Sequence, residues 1–409
     1  NGGSSFVDVN AGLVTMQFYA INHAETNPAL ALGGTQDNGT WRYNNSGSWA
    51  YVLGGDGFQC EIDRVNPSYM YAELYYGEHY ASTNGGSNFV PRNSGITEDG
   101  LWETPTHMDF SNPSIIWTAH NTKIFRTTNR MGSWTWMNNP AGLGGGRNIH
   151  QCRNHPEVLV VVGGSRVWVT TDTGATWTNK TGSLVTLNAI SDVHCHPDDP
   201  NTWVITVASY STQTHQVFKT TDAGTTWVAI DDGLPEEPAN TIEIDPLNPD
   251  WYFIGTDLGV YWSPNAGASW VPFNTGLPHV VVDDLRIHSP ARLLHAGTHG
   301  RGMWEVDISG LGVEAAEDPR PEVEPVTLRI FGNPATDRVT LRYGTRRPGQ
   351  VRLALYDVQG RLVKPLLDEQ TYGYLGALDV DVTDLPAGVY FARLSAQGSE
   401  VSQKLVIER

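Results

Sequence analysis

Seven short stretches of this 409-residue chain run into a proline: NHAETNP, EIDRVNP, HMDFSNP, QCRNHP, HCHPDDP, EIDPLNP and RIHSP. Six residues before each proline stands a polar side chain, in order Asn22, Glu61, His107, His150, His194, Glu243 and Asp284. The next position is mostly apolar (His23, Ile62, Met108, Gln151, Cys195, Ile244, Leu285). That alternation belongs to strands whose first set faces a shared space while the second turns into packing. Imidazoles from three consecutive strands, flanked by Glu61 or Glu243, could converge on a divalent ion at about 2.0–2.1 Å. The competing chemistry is a water-filled polar channel in which the histidines bond to solvent and to Glu243 or Asp284. No cofactor is required by either arrangement.

A second group sits in polar loops: GTQDNG (Asp37), GGDG (Asp56), YYGEHY (Tyr76, His79), DGLW (Trp102), AHNT (His120), GTDLG (Asp257) and GTHGRG (Arg301). Carboxylates, imidazoles and aromatics gathered round one concavity suit a glycan or peptide ligand. Asp37, Asp56 and Asp257 are also candidate acids of a glycosidase, which needs two carboxyl groups roughly 5–10 Å apart. Nothing in the sequence pairs them. The leading reading is therefore a surface protein that binds a glycan or protein, or assembles with copies of itself. The alternative is a glycoside hydrolase acting on an extracellular polysaccharide.

The elements that position these residues repeat. Three stretches follow S/T-x-D/N-x-G-x-S/T-W: TTDTGATW (Thr170 to Trp177), TTDAGTTW (Thr220 to Trp227) and SPNAGASW (Ser263 to Trp270). STNGGSNF closes on Phe89 instead, and TTNRMGSW and RYNNSGSW carry their glycine one place late. The closing aromatics Trp49, Phe89, Trp134, Trp177, Trp227 and Trp270 lie 40, 45, 43, 50 and 43 residues apart. A period of forty-odd residues is one four-stranded propeller blade. Asp172 and Asp222 fall in the turn before the outermost strand, where a carboxylate can accept backbone N–H bonds.

Seven innermost strands but six boxes leave one outer strand missing. The opening NGGSSF places Asn1, Gly3, Ser5 and Phe6 at box positions, and the last repeat stops after three strands. Residues 4–9 are thus expected to pair with the strand around Met303 to Ile308. The predicted fold is all-β: a seven-bladed β-propeller closed by its N-terminal strand, over residues 1–311.

These boxes resemble the Asp-box, or bacterial neuraminidase repeat, of sialidases, sortilin-type receptors and two-propeller xyloglucanases. The resemblance covers about three quarters of the chain and implies the propeller fold. The Arg-Ile-Pro segment typical of sialidases is missing, and xyloglucanases of this kind place their acids between two propellers where this chain has one.

Composition changes sharply after the propeller. All 14 Trp and all 13 His precede residue 310. Residues 1–313 carry a net charge of −16 and residues 326–409 of +2. Between them GVEAAEDPRPEVEP, within 312–325, reads as an extended acidic linker. The whole-chain charge of −18 argues against nucleic acid or an anionic membrane as partner. No apolar run is long enough to span a bilayer.

Residues 326–409 show strand alternation in VTLRY and VRLALYDV, with turns at Gln359-Gly360 and Pro386-Ala387-Gly388, giving a small Ig-like β-sandwich. The order NP, YDxxGR, LPAGVYF and a Lys-containing last strand closely resembles the type A sorting domain of the type IX secretion system. That resemblance implies engagement of the secretion machinery through 326–409 and a location outside the cell, or on the outer-membrane surface, of a Bacteroidetes-like bacterium. Cys60, Cys152 and Cys195 are odd in number and lie on innermost strands, so they are expected as buried thiols acting as small hydrophobes.

Overall fold

The structure, a computed structural model, describes residues 15–408 apart from 45–46, 139, 141, 185–189, 211–214, 312–325, 332, 346–348, 372–374 and 397–398. The expected closing strand at 4–9, with Phe6, and the linker at 312–325 lie outside the described residues. The chain divides into two compact units, Asn1–Val313 and Glu314–Arg409.

Among the described residues of the first unit, six four-stranded antiparallel sheets and one three-stranded sheet follow in chain order, each with its strands in sequence order from one edge to the other. Their innermost strands are Phe18–Ala24, Gly57–Ile62, Thr106–Met108, Asn148–Cys152, Ile190–Cys195, Ala239–Ile244 and Val282–His288. Four second strands, Met70–Leu74, Ile116–Ala119, Trp203–Val207 and Tyr252–Thr256, are buried along their whole length. They read as mostly apolar runs because neighbouring sheets cover both faces. Cores form between adjacent sheets: Val204 and Val217 of the fifth pack with Ile242, Tyr252 and Ile254 of the sixth.

The box turns have one bonding pattern. Thr220 Oγ1 donates to Asp222 Oδ1 at 2.9 Å and accepts from Gly224 N at 2.9 Å, while Asp222 accepts from Thr226 N and Thr226 Oγ1 at 2.8 and 2.7 Å. The same atoms bond alike around Asp172 and, with an amide replacing the carboxylate, around Asn265. Two successive residues in each turn are left-handed, which is why glycine recurs there (Gly174, Gly224, Gly267). Where the glycine comes one place late, Met131 itself takes φ 61°. Three box tryptophans clip their sheet to the one before: Trp134 Nε1 donates to Arg92 O at 2.7 Å, Trp227 to Lys180 O at 3.2 Å, and Trp270 to Ile230 O at 2.6 Å.

One cysteine expectation is corrected. Cys152 and Cys195 form a disulfide between the innermost strands of the fourth and fifth sheets, with Cα atoms 5.0 Å apart; Cys60 remains a buried free thiol. The two cysteines are 43 residues apart in sequence. One blade period therefore brings them side by side.

The second unit has a three-stranded sheet (Val326–Phe331, Arg338–Thr345, Leu375–Asp381) and a four-stranded sheet ordered Leu362–Thr371, Gly349–Tyr356, Gly388–Ala396, Ser399–Ile407. Alternate residues Val351, Leu353 and Leu355 join Leu341, Leu394 and Leu405 in one core. The Asp357 carboxylate closes the intervening turn by accepting from Gln359 N and Arg361 N, both at 2.9 Å, with Gly360 at φ 77°.

Candidate functional site

Cross-strand register identifies the ring of side chains that faces the axis. Asn22, Glu61, His107, His150, His194 and Glu243 stand opposite Leu32, Tyr71, Trp117, Val160, Val204 and Phe253. In the seventh sheet the equivalent residue is Arg286, opposite His295, and Asp284 stands one level higher, opposite Gly297. Asp284 is therefore removed from the ring. The seventh stretch reaches its proline two residues sooner, so counting back from Pro290 slips by two and preserves the strand face while missing the level.

A recurring bond runs round this ring, from backbone N–H to the side chain of the preceding sheet. Asn22 Oδ1 accepts from Ile62 N at 3.2 Å, Glu61 Oε1 from Met108 N at 3.3 Å, His107 Nε2 from Gln151 N at 3.4 Å and His150 Nδ1 from Cys195 N at 3.3 Å. Burial holds His107 and His150 well below the usual imidazole range, helped by Arg64 and by His194 respectively. His194 turns the other way, Nδ1 to Cys195 O at 2.8 Å, leaving Nε2 3.6 Å from Glu243 Oε2. The His150 and His194 rings lie 3.9 Å apart at 37°. One nitrogen of each of His107, His150 and His194 is thus committed to a backbone partner. Among the described residues no group of three or more His, Cys, Asp or Glu is placed to hold a metal ion.

The ring divides the channel. His107, His150, His194, Glu243 and Arg286 line both a cavity of about 410 Å3 on one side and one of about 60 Å3 on the other. The small one is flanked by Phe110, whose ring lies 4.6 Å from the Arg64 guanidinium and 4.4 Å from that of Arg153.

The large chamber is built by β-bulges. Register shifts occur at Phe18/Ala20, Ile190/Asp192, Ala239/Thr241 and Val282/Asp284, and the extra residues Tyr19, Ser191, Asn240 and Asp283 all line the chamber. A bulge re-aims a side chain without disturbing the ladder on either side. Below them Asp192 accepts from Thr241 Oγ1 and Ile242 N, both at 2.9 Å, and Asp284 accepts from Ile21 N at 2.8 Å.

Acids dominate this space: Glu103, Asp192, Glu243, Asp283 and Asp284 against Arg147 and Arg286. Burial pushes Asp284 up to about 7 despite Arg286 and the Ile21 amide. Burial likewise pushes Glu103 up to about 7, opposed by the Gln59 amide and reinforced by Asp283 and Asp284. Burial works against the Arg286 charge, but Asp284, Glu61, Glu243 and Asp192 outweigh it and hold the guanidinium above its usual range.

An aromatic run begins at Tyr19 in the chamber wall. Tyr19 stacks on Phe58 with centroids 4.7 Å apart; Phe58 meets Trp102 edge-on at 5.5 Å; Trp102 stacks on Tyr75 at 5.6 Å and meets Tyr76 at 5.3 Å. Glu73, fully buried, holds the run in place by accepting from Gln59 N at 3.2 Å, Gly77 N at 3.2 Å and Thr104 N at 3.0 Å. These bonds tie the Tyr75–Gly77 turn to the loop carrying Trp102 and Glu103.

The structure separates the loop candidates. Tyr76 and Trp102 are exposed on the rim. Asp37 and Asp56 meet, Asp37 N donating to Asp56 Oδ1, and line a separate cavity. Asp257 accepts from Asn240 Nδ2 at 3.0 Å and from the Tyr210 hydroxyl, and lines neither cavity. Arg301 is exposed at a strand turn with its guanidinium on Gly300 O. His79 and His120 are fully buried: His79 packs on Trp134 at 5.0 Å, and His120 Nδ1 contacts Glu98 O at 2.9 Å. Their loops look polar in sequence, yet both side chains turn inward beneath the Gly77 turn and the Glu98 loop. Sequence reasoning missed Tyr19, Glu103, Asp192, Asp283 and Arg286; the adjacency of Glu103 to Trp102 is the one signal that pointed their way.

Residues 329–408 match the secretion system C-terminal sorting domain. The protein is thus a secreted or cell-surface protein of a Bacteroidetes-like bacterium, addressed through the type IX system. No helix among the described residues is long and apolar enough to cross a membrane. No curated protein matches the sequence.

Solved structures define the fold as a β-propeller. The GH74 xyloglucanase of Xanthomonas campestris is 14% identical with a TM-score of 0.58, covering 81% of this chain and 59% of that one. An ancestral GH74 enzyme is 12% identical at TM-score 0.58, over 96% and 62%. YCF48 from Cyanidioschyzon merolae is 10% identical at TM-score 0.55, over 71% and 95%. The chain therefore spans about three fifths of the GH74 enzymes' length.

Proposed function

We propose that this protein is an exported glycan-binding propeller whose ligand enters the large chamber across its aromatic rim. The supporting observation is an aromatic run that begins at Tyr19 in the wall of a chamber lined by carboxylates, amides and hydroxyls and passes through the buried Phe58 to Trp102 and Tyr75. Sugar C–H faces stack on such rings while hydroxyls bond to the polar wall. A glycan array read both for retention and for released reducing ends tests this. Trp102→Ala and Tyr76→Ala, both at exposed positions, should each weaken retention about fivefold to tenfold without lowering Tm. Retention of no glycan, or retention unchanged by both substitutions, overturns it.

Glycoside hydrolysis is the second reading, favoured by two carboxyl groups in one chamber, Glu103 and Asp284, that stay partly protonated near neutrality. A raised carboxyl is what a general acid requires. Release of reducing ends by the wild type and its loss in Glu103→Gln and Asp284→Asn would decide for this reading.

The scaffold we assign is a seven-bladed propeller of the Asp-box group, completed by residues 4–9 along Gly302–Asp307, with an Ig-like sandwich as its sorting domain. Met16 O, which accepts from Gly300 N and Gly302 N at 3.1 Å, brings the chain to the head of that strand. Phe6→Ala should cost about 2–3 kcal/mol in a thermal or denaturant melt. An unchanged melt would leave the seventh sheet with three strands.

A further inference from the structure

A cavity of about 450 Å3, sharing no lining residue with the central chamber, lies between the first and second sheets. Trp41 and Tyr51 form two of its walls, their rings 5.4 Å apart at 67°, close to a right angle. Trp41 is fixed by its Nε1 donating to Asn38 O at 2.6 Å. Tyr75 forms a third wall and is braced from behind by stacking on Trp102 at 5.6 Å and 15°. Asp37, Asn38, Gly55 and Asp56 complete the lining, and no Lys, Arg or His among the described residues lines it.

Three ring faces and two carboxylates without a compensating cation make a specific demand. A neutral ligand would leave both carboxylates without a counter-charge, Asp56 having only the Asp37 N–H as a donor among the described residues. A small hydrated metal ion would gain little from aromatic faces, and no metal-holding group of acids exists among the described residues. A weakly hydrated organic cation meets both features, because ring quadrupoles and carboxylates attract the same charge. The whole-chain charge of −18 adds attraction at longer range.

We propose that the cavity walled by Trp41, Tyr51 and Tyr75 and charged by Asp37 and Asp56 binds an organic ammonium group. The bound group sits against the Trp41 and Tyr51 faces with the carboxylates as counter-ions. It is carried by a small solute or by an amino sugar; the cavity shares Tyr75 with the aromatic run but no lining residue with the central chamber.

Isothermal titration of the full chain tests this with two matched pairs: choline against 3,3-dimethyl-1-butanol, its uncharged isostere, and glucosamine against N-acetylglucosamine under mildly acidic conditions. Choline should bind with a millimolar or tighter constant while its isostere does not. Glucosamine binding as well extends the class to amino sugars; choline alone restricts it to methylated ammonium. Tyr51→Ala, at a largely exposed position, and Asp37→Asn, which keeps a residue tolerant of φ 57°, should each weaken choline about threefold to thirtyfold. Equal binding of the isostere, no binding of either cation, or binding that survives both substitutions overturns the proposal. Thermal melts of both variants exclude loss of fold as the cause.

Discussion

His23 and His295 meet Nδ1 to Nδ1 at 3.1 Å across the seam between the first and seventh sheets, with the His288 ring 5.0 Å from that of His23. Burial, then His295 and His288, hold His23 well below the usual imidazole range; burial also lowers His295 despite the Glu305 carboxylate at 2.9 Å. Arg286 and Arg64 add to the effect on His23. Such groups stabilise the fold while neutral in both states. As pH falls below the unfolded value of about 6.5, only the unfolded chain takes up protons, and stability is lost. Hydrogen exchange should therefore accelerate first at this seam on acidification, and His23→Gln should flatten the fall of Tm below that pH. A seam as well protected at pH 5 as at pH 7.5 would count against it.

Thiol counting checks the cysteine pairing. The native, unreduced protein should expose no reactive thiol, because Cys60 is buried and burial raises its pKa. Denaturation should release one thiol, and denaturation with reductant three. Cys152→Ala with Cys195→Ala should lower stability by about 2–5 kcal/mol.

Removing the Glu73 carboxyl strands three N–H groups, those of Gly77 and Thr104 buried and that of Gln59 half-buried. Glu73→Ala should cost about 3 kcal/mol and alter the emission of Trp102, while Glu73→Gln retains an acceptor and most of the stability. Equal effects of both variants would mean that the carboxyl does not organise the rim.

The chamber changes charge near neutrality. Asp284 and Glu103 are raised to about 7, so both are protonated at mildly acid pH and ionise as pH rises through that value. A raised acid stabilises the fold relatively at low pH, and this advantage disappears between its unfolded value of about 4 and its folded one. Carboxyl titration followed by NMR should show two groups near 7, and Asp284→Asn should remove one of them.

Sequence spacing revealed the four-stranded period because the box turns are local: Thr220, Asp222, Gly224 and Thr226 bond within seven residues. The axis-facing ring was legible in six of seven positions because alternation is also local. Arg286 was hidden by a turn shortened by two residues, and Tyr19, Ser191, Asn240 and Asp283 by bulges that break the alternation on which the reading depends. The Cys152–Cys195 bridge depends on how neighbouring sheets approach, which no single strand records.

The four bulged residues lie outside the cross-strand pairs that hold each innermost strand in register. Exchanging Tyr19, Ser191, Asn240 or Asp283 therefore alters the chamber wall while leaving the ladder on either side intact. Mutational drift at these sites would leave strand register untouched while being loud for recognition. Relatives of this chain could switch cargo through a handful of codons, and a combinatorial library at the same four positions offers a direct route to new specificities on an unaltered scaffold.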